Sequence, residues 1–178
     1  MSRQRIEKTP AAYTFPMEKV EKAKKGRILP YILFCLLPLA GGALSGLISR
    51  SGMDRYEQLA QPPLSPPRIL FPIVWSILYI LMGIGAARVY LAPERGWKPA
   101  LTLFAAQLLV NLLWTPLFFA LELRFAAFIW LLVLLVLAGY MTGEFKRIVP
   151  WTGYMQIPYL LWLSFAAYLN FATWQLNG

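Results

Sequence analysis

Residues 69–91 read ILFPIVWSILYILMGIGAARVYL, and this stretch decides the fold. Its one charged residue, Arg88, sits close to the end. A helix rises about 1.5 Å per residue, so a run of about 20 apolar residues crosses the hydrocarbon core of a bilayer. Four further runs of this kind flank it. The spans are expected over about 28–49, 69–91, 99–119, 125–141 and 151–174. The runs are continuous and Leu-rich, not alternating, which argues against a membrane β-barrel. In lipid every backbone N–H and C=O must be paired within the protein, so each run becomes a helix. The expected fold is an all-α integral membrane protein, a bundle of five transmembrane helices.

Composition agrees. Of 178 residues, 58% are hydrophobic and 14% charged, against about 45–50% and about 25% in soluble domains. There is no histidine, and Cys35 is the one cysteine. A Ser-His-Asp triad, a His-ligated haem or zinc centre and an intrachain disulfide are therefore excluded, and no metal site is expected. No acid or base lies deep in a span, which argues against a pump or an ion-coupled transporter.

The charge is uneven. Eight of the 17 Lys and Arg residues lie in the first 27 positions. Residues 1–27 are expected to form a basic, mostly disordered tail. A basic tail ahead of an apolar span is a topology signal rather than a nucleic-acid site, so no nucleic-acid partner is expected. With the tail inside, thirteen basic residues fall on its side of the bilayer and four on the other. The N-terminus is accordingly expected to be cytoplasmic, in a bacterial cytoplasmic membrane. The first connection, Arg50 to Pro67, then faces outward, and its end, Gln61 to Pro67, is too rich in proline for regular helix. Gly42 and Gly46 form a G-x-x-x-G spacing that lets another helix approach closely.

Three spans carry aromatic and polar residues at helical spacing. Trp75 and Tyr79 are i and i+4 in the second; Asn111, Trp114 and Phe118 are i, i+3 and i+7 in the third. Pro158, Trp162, Ala166 and Asn170 recur every four residues in the fifth. Helix-packing or lipid-facing aromatics would give such stripes too. However, Trp75, Trp114 and Trp162 lie inside their spans, whereas interfacial belts sit at the ends. Asn111 and Asn170 need partners in hydrocarbon, so they face the bundle interior. Aromatics beside buried amides suit a pocket for a flat, largely apolar ligand. Trp97, Trp151 and Trp174, at span ends, read as interface anchors.

Four stretches carry a family resemblance: YEQLAQPPLSPP at 56–67, FPIVWSILY at 71–79, NLLWTPLFF at 111–119 and PYLLWLSFAAYLN at 158–170. In this order the chain resembles the tryptophan-rich sensory protein family, also called the translocator protein or peripheral benzodiazepine receptor family. The resemblance implies a five-helix bundle, a homodimer, and a pocket covered by the first connection. Its ligands would be porphyrins or haem-type tetrapyrroles, sterols and benzodiazepine-type compounds, with no cofactor required. It implies a pocket of Tyr56, Trp75, Tyr79, Asn111, Trp114, Phe118, Trp162, Ala166 and Asn170. Trp75 and Trp162 match the tryptophans linked to porphyrin handling. Three outcomes follow for such a pocket: binding as a receptor or sensor, transport, or light- and oxygen-dependent porphyrin breakdown with Trp75 and Trp162 as the reactive groups. Leu64 departs from the family, which usually has an aromatic residue there.

Overall fold

The computed structural model describes residues 17–92 and 96–178, with side chains from Arg27 onward. The expected tail up to residue 16, and Pro93 to Arg95 of the second connection, lie outside the described residues. Seven α-helices follow in order: α1 (Met17–Ile48), α2 (Arg50–Tyr56), α3 (Leu70–Tyr90), α4 (Trp97–Thr115), α5 (Arg124–Ile148), α6 (Pro150–Tyr154) and α7 (Ile157–Asn177). A π turn, Pro116–Ala120, extends α4. There is no strand among the described residues.

Four segments are long and apolar enough to cross a membrane: Arg27–Ile48, Leu70–Tyr90, Trp97–Ala120 and Arg124–Ile148. At 21 residues α7 is as long as α3. Its mean hydropathy is lowered by Ser164, Asn170 and Thr173, yet it packs along α5 and completes the five-helix bundle. The chain is an integral membrane protein, and its burial pattern shows why. Gln107, Asn111, Gln156 and Asn170 are at most 2% exposed, while Leu36, Leu37, Leu44 and Leu47 are more than half exposed. In water, burial of each such leucine would be favoured by about 1.5–3 kcal/mol. In lipid that drive vanishes, and it is the polar groups that must be turned inward and paired.

Close backbone approach replaces the missing hydrophobic drive. α1 lies along α3, and Gly83 makes this possible. A Cβ there would fall 2.5 Å from the Phe34 carbonyl oxygen and 2.6 Å from Cys35 Cα. Gly42 packs on the Tyr79 ring, so its close approach is internal; a Cβ on Gly46 would meet nothing within 4 Å.

Several boundaries differ from the expected ones, each for a local reason. The first connection is partly helical, as α2. The fourth span runs to Ile148 instead of Met141, because residues 142–148 contain no proline and Glu144 and Arg147 pair across one turn at 2.6 Å. Val149 then turns extended before Pro150, as the residue preceding a proline prefers. The fifth span is interrupted at Met155 and Gln156, so α6 and α7 share it. Pro116 cannot donate to the Leu112 carbonyl, and the Ser45 hydroxyl of α1 donates to that oxygen instead, at 2.6 Å. Trp130 ties α5 to α4 by donating to the Val110 carbonyl at 2.8 Å.

Candidate ligand site beneath the first connection

α2 and residues 57–69 form a cover over one end of the bundle. Gly52 lets α2 rest directly on the Phe119 carbonyl. Asn177, at the end of α7, grips Ala60 from both sides: its Oδ1 accepts the Ala60 N–H at 3.0 Å and its Nδ2 donates to the Ala60 carbonyl at 3.1 Å. Tyr168 donates to the Pro63 carbonyl at 3.1 Å. Arg55 reaches Glu122 at 2.6 Å, and Glu122 itself sits in the left-handed region with φ 56°. Arg68 folds the connection back onto α2, at 2.8 Å from Asp54 and 3.2 Å from Glu57. Donation to the Asp54 carboxylate, then to that of Glu57, raises the already high pKa of Arg68. Exposed pairs of this kind contribute little to stability, because water screens them. The cover is thus held by several weak contacts.

Beneath it lies an aromatic box. Tyr56, Phe71, Trp114, Phe118, Phe119 and Ala166 line it, with Leu169 and Asn170 behind. Trp114 stacks on Phe118 at 5.5 Å and 18°, and Tyr56 meets Phe118 and Phe119 edge-on at 5.6 and 5.4 Å. The free volume is about 20 Å³, room for about one water. Sites for drug-sized ligands run to about 300–1,000 Å³. The rings therefore occupy the space, and a flat ligand enters only if rings and cover move.

A polar chain runs deeper in the bundle. The Tyr79 hydroxyl donates to Asn111 Oδ1 at 2.9 Å, and Asn111 Nδ2 donates to the Tyr159 oxygen at 2.9 Å. Tyr159 donates onward to Gln107 Oε1 at 2.8 Å, and Gln107 Nε2 ends on the Met82 sulfur at 2.9 Å. Nearer the cover, Trp114 Nε1 donates to Asn170 Oδ1 at 3.2 Å, while Asn170 Nδ2 donates to the Arg124 carbonyl at 2.8 Å. Both asparagines are thus committed to neighbours, and they hold Tyr79 and Trp114 in place. The Trp162 indole N–H, by contrast, is buried without an acceptor.

The nine expected site residues divide into three groups. Tyr56, Trp114, Phe118, Ala166 and Asn170 surround the box. Trp75 packs beside Tyr79 at 5.4 Å and Tyr159 at 6.3 Å, so Trp75, Tyr79 and Asn111 form the layer below. Trp162 joins Phe71 at 6.0 Å, and with Pro158 it also borders an open groove of about 410 Å³ between α3 and α7. The spacing explains this split. Steps of four residues turn 400°, so a line drawn every four residues drifts about 40° per step. Pro158 starts on the lipid side and Asn170 ends inside. Alternating steps of four and three from Tyr159, through Leu163, Ala166 and Asn170 to Thr173, give the face that is buried. Phe71 and Phe119 in the box, and Tyr159 and Gln107 beneath it, were the residues missed, and that alternation would have found Tyr159.

Comparison with known proteins follows the same outline. The chain is 46% identical over 125 residues to Protein CrtK of Rhodobacter capsulatus, covering 68% of this chain and 78% of that protein. It is 35% identical over 149 residues to the tryptophan-rich sensory protein of Cereibacter sphaeroides, and 36% identical over 157 residues to the translocator protein of Bos taurus. Each of these two matches covers 84% of this chain and 90% of the relative. A sequence model of the TspO/MBR family matches residues 34–175.

Proposed function

The chain belongs to the TspO/MBR family, and on that premise we propose that it is a membrane receptor for porphyrins and other flat hydrophobic ligands, bound inside the bundle beneath the first connection. The observation that carries this reading is the aromatic box under a weakly held cover, with the Trp162 N–H buried and without an acceptor beside Phe71. Rings of Tyr56, Trp114 and Phe118 offer stacking surface to a tetrapyrrole. An unpaired buried donor is unfavourable by about 1–3 kcal/mol until an acceptor reaches it, so a ligand carbonyl or carboxylate would relieve Trp162. Tyr79 and Asn111 support the box from below. The ligand exchanges places with the protein's own ring contacts, so binding is expected to be slow and to depend on cover opening.

A titration of the purified full chain with protoporphyrin IX in the dark, followed by Trp fluorescence, tests this. Saturable quenching at one ligand per chain supports the proposal. Quenching that grows linearly, as for partition into detergent, refutes it. A second reading, light- and oxygen-dependent breakdown of the bound porphyrin, draws on the cluster of Trp75 with Tyr79 and Tyr159. An illuminated arm of the same titration distinguishes it, with loss of porphyrin absorbance that requires Trp75 or Trp162. Transport of the ligand is tested by flux into proteoliposomes, and the proposed homodimer by the mass of the detergent-solubilised particle.

A further inference from the structure

The two ends of the bundle treat their charges differently. At the covered end, three of the four arginines, Arg55, Arg68 and Arg124, pair with Asp54, Glu57 or Glu122, with Arg50 the exception among the described residues. At the opposite end, Glu144 pairs with Arg147, and among the described residues Arg88 and Lys146 have no carboxylate partner. Instead each lies over an aromatic ring of α6. The Arg88 guanidinium is 5.6 Å from the Trp151 ring centre, and the Lys146 ammonium is 5.0 Å from that of Tyr154. Trp151 and Tyr154 are themselves 43% and 57% exposed. Basic and aromatic side chains held together in this way suit the headgroup layer of a bilayer.

The open groove between α3 and α7 lies above this pair. On α3, Ile77, Leu81, Ile84 and Arg88 follow one another by steps of four, three and four, which places them on one face. On the facing wall, Pro158, Leu161 and Phe165 continue the exposed side of α6. The ten residues from Leu78 to Arg88 rise about 15 Å, which is half the ~30 Å hydrocarbon core and so the depth of one leaflet. We propose that this surface is a binding site for one anionic phospholipid. Its phosphate sits at Arg88 and Lys146, and one acyl chain runs along Leu81 and Ile84 so that its end enters the groove between Ile77 and Leu161. Charge decides the class of headgroup, since a zwitterionic lipid would bring its own cation to two cations that have no carboxylate partner among the described residues. The proposal is separable from the porphyrin reading: Trp162 borders both places, but Leu161, Arg88 and Lys146 take no part in the aromatic box.

The test is native mass spectrometry of the full chain, released from detergent containing equal amounts of palmitoyl-oleoyl phosphatidylglycerol and phosphatidylcholine. One phosphatidylglycerol per chain is expected, preferred roughly thirtyfold, the weight of two basic side chains at a membrane surface. Arg88→Gln with Lys146→Gln is expected to abolish the preference, and Lys98→Gln, a basic residue at the same end, to leave it intact. Leu161→Trp, which fills the groove with both cations in place, is expected to cut retention of phosphatidylglycerol at least as strongly. All these side chains are exposed, so the variants are expected to keep the wild-type melting temperature. Undiminished phosphatidylglycerol in the double charge variant would place the lipid elsewhere, on the basic N-terminal residues, and overturn the proposal. Full retention in Leu161→Trp would overturn it equally, by leaving headgroup attraction without a seated chain.

Discussion

Replacing Asn177 by alanine loosens the cover, and it also removes a bond within α7 from Asn177 Nδ2 to the Thr173 carbonyl at 2.9 Å. The Asn177 carboxamide makes two reciprocal hydrogen bonds with Ala60, at 3.0 and 3.1 Å, and both are exposed. Water can replace an exposed partner, so each bond is assigned the low end of the usual net contribution, about 0.5 kcal/mol. The loss of about 1 kcal/mol shifts the closed-to-open ratio of the connection roughly fivefold, since about 1.4 kcal/mol corresponds to a factor of ten. Two readouts follow. Amide exchange across residues 57–66 is expected to accelerate about fivefold in Asn177→Ala, with exchange in α5 unchanged. If ligand entry waits on the same opening, stopped-flow quenching by protoporphyrin IX accelerates by the same factor. Adding Tyr168→Phe removes the bond to the Pro63 carbonyl and accelerates both further. Unchanged exchange in Asn177→Ala would refute the latch. Faster exchange with an unchanged association rate would show that ligand does not pass the cover.

Tyr159→Phe strands Gln107 Oε1 and Asn111 Nδ2 in the buried core, and a loss of about 1–3 kcal/mol is expected in thermal unfolding. Combining it with Gln107→Leu, Asn111→Leu and Tyr79→Phe removes the stranded partners, the Tyr79 hydroxyl included, and is expected to recover part of that loss. Gly83→Ala pushes a methyl group against the α1 backbone at Phe34 and Cys35, where nothing flexible can give way. A fall in stability of about 1–3 kcal/mol is expected, with Gly139→Ala, where a Cβ meets nothing within 4 Å, as the neutral control.

The spans were legible because lipid imposes one rule on every backbone group, and runs such as 69–91 satisfy it without help from tertiary context. Their ends were less so. Residues 142–148 look like a loop by charge, yet Arg147 and Glu144 cap the helix with an ion pair of their own. The break at Met155 and Gln156 has its signal in Pro158, which cannot donate to the Tyr154 carbonyl and stands in the first turn of α7. The box residues were legible as aromatic and amide positions at helical spacing, and the family resemblance sharpened them. What a period of four could not show was the drift that sends Pro158 outward and Asn170 inward. Nor does composition reveal that Asn111 and Asn170 are already paired, while the Trp162 N–H is buried without an acceptor. The groove beside α3 is invisible for the same reason: it arises from the spacing between two helices.

The central claim is that ligand lies inside the bundle. Ala166 is 6% exposed and lines the box, whereas Leu161 is 67% exposed on the outer groove. Dark titration of Ala166→Phe and Leu161→Trp with protoporphyrin IX, on protein of confirmed helicity and melting temperature, separates the two places directly. Binding is expected to be lost or weakened at least tenfold in Ala166→Phe, about the effect of 1.4 kcal/mol, and retained in Leu161→Trp. Retention in Ala166→Phe with loss in Leu161→Trp would contradict an interior site and put the porphyrin on the lipid-facing surface.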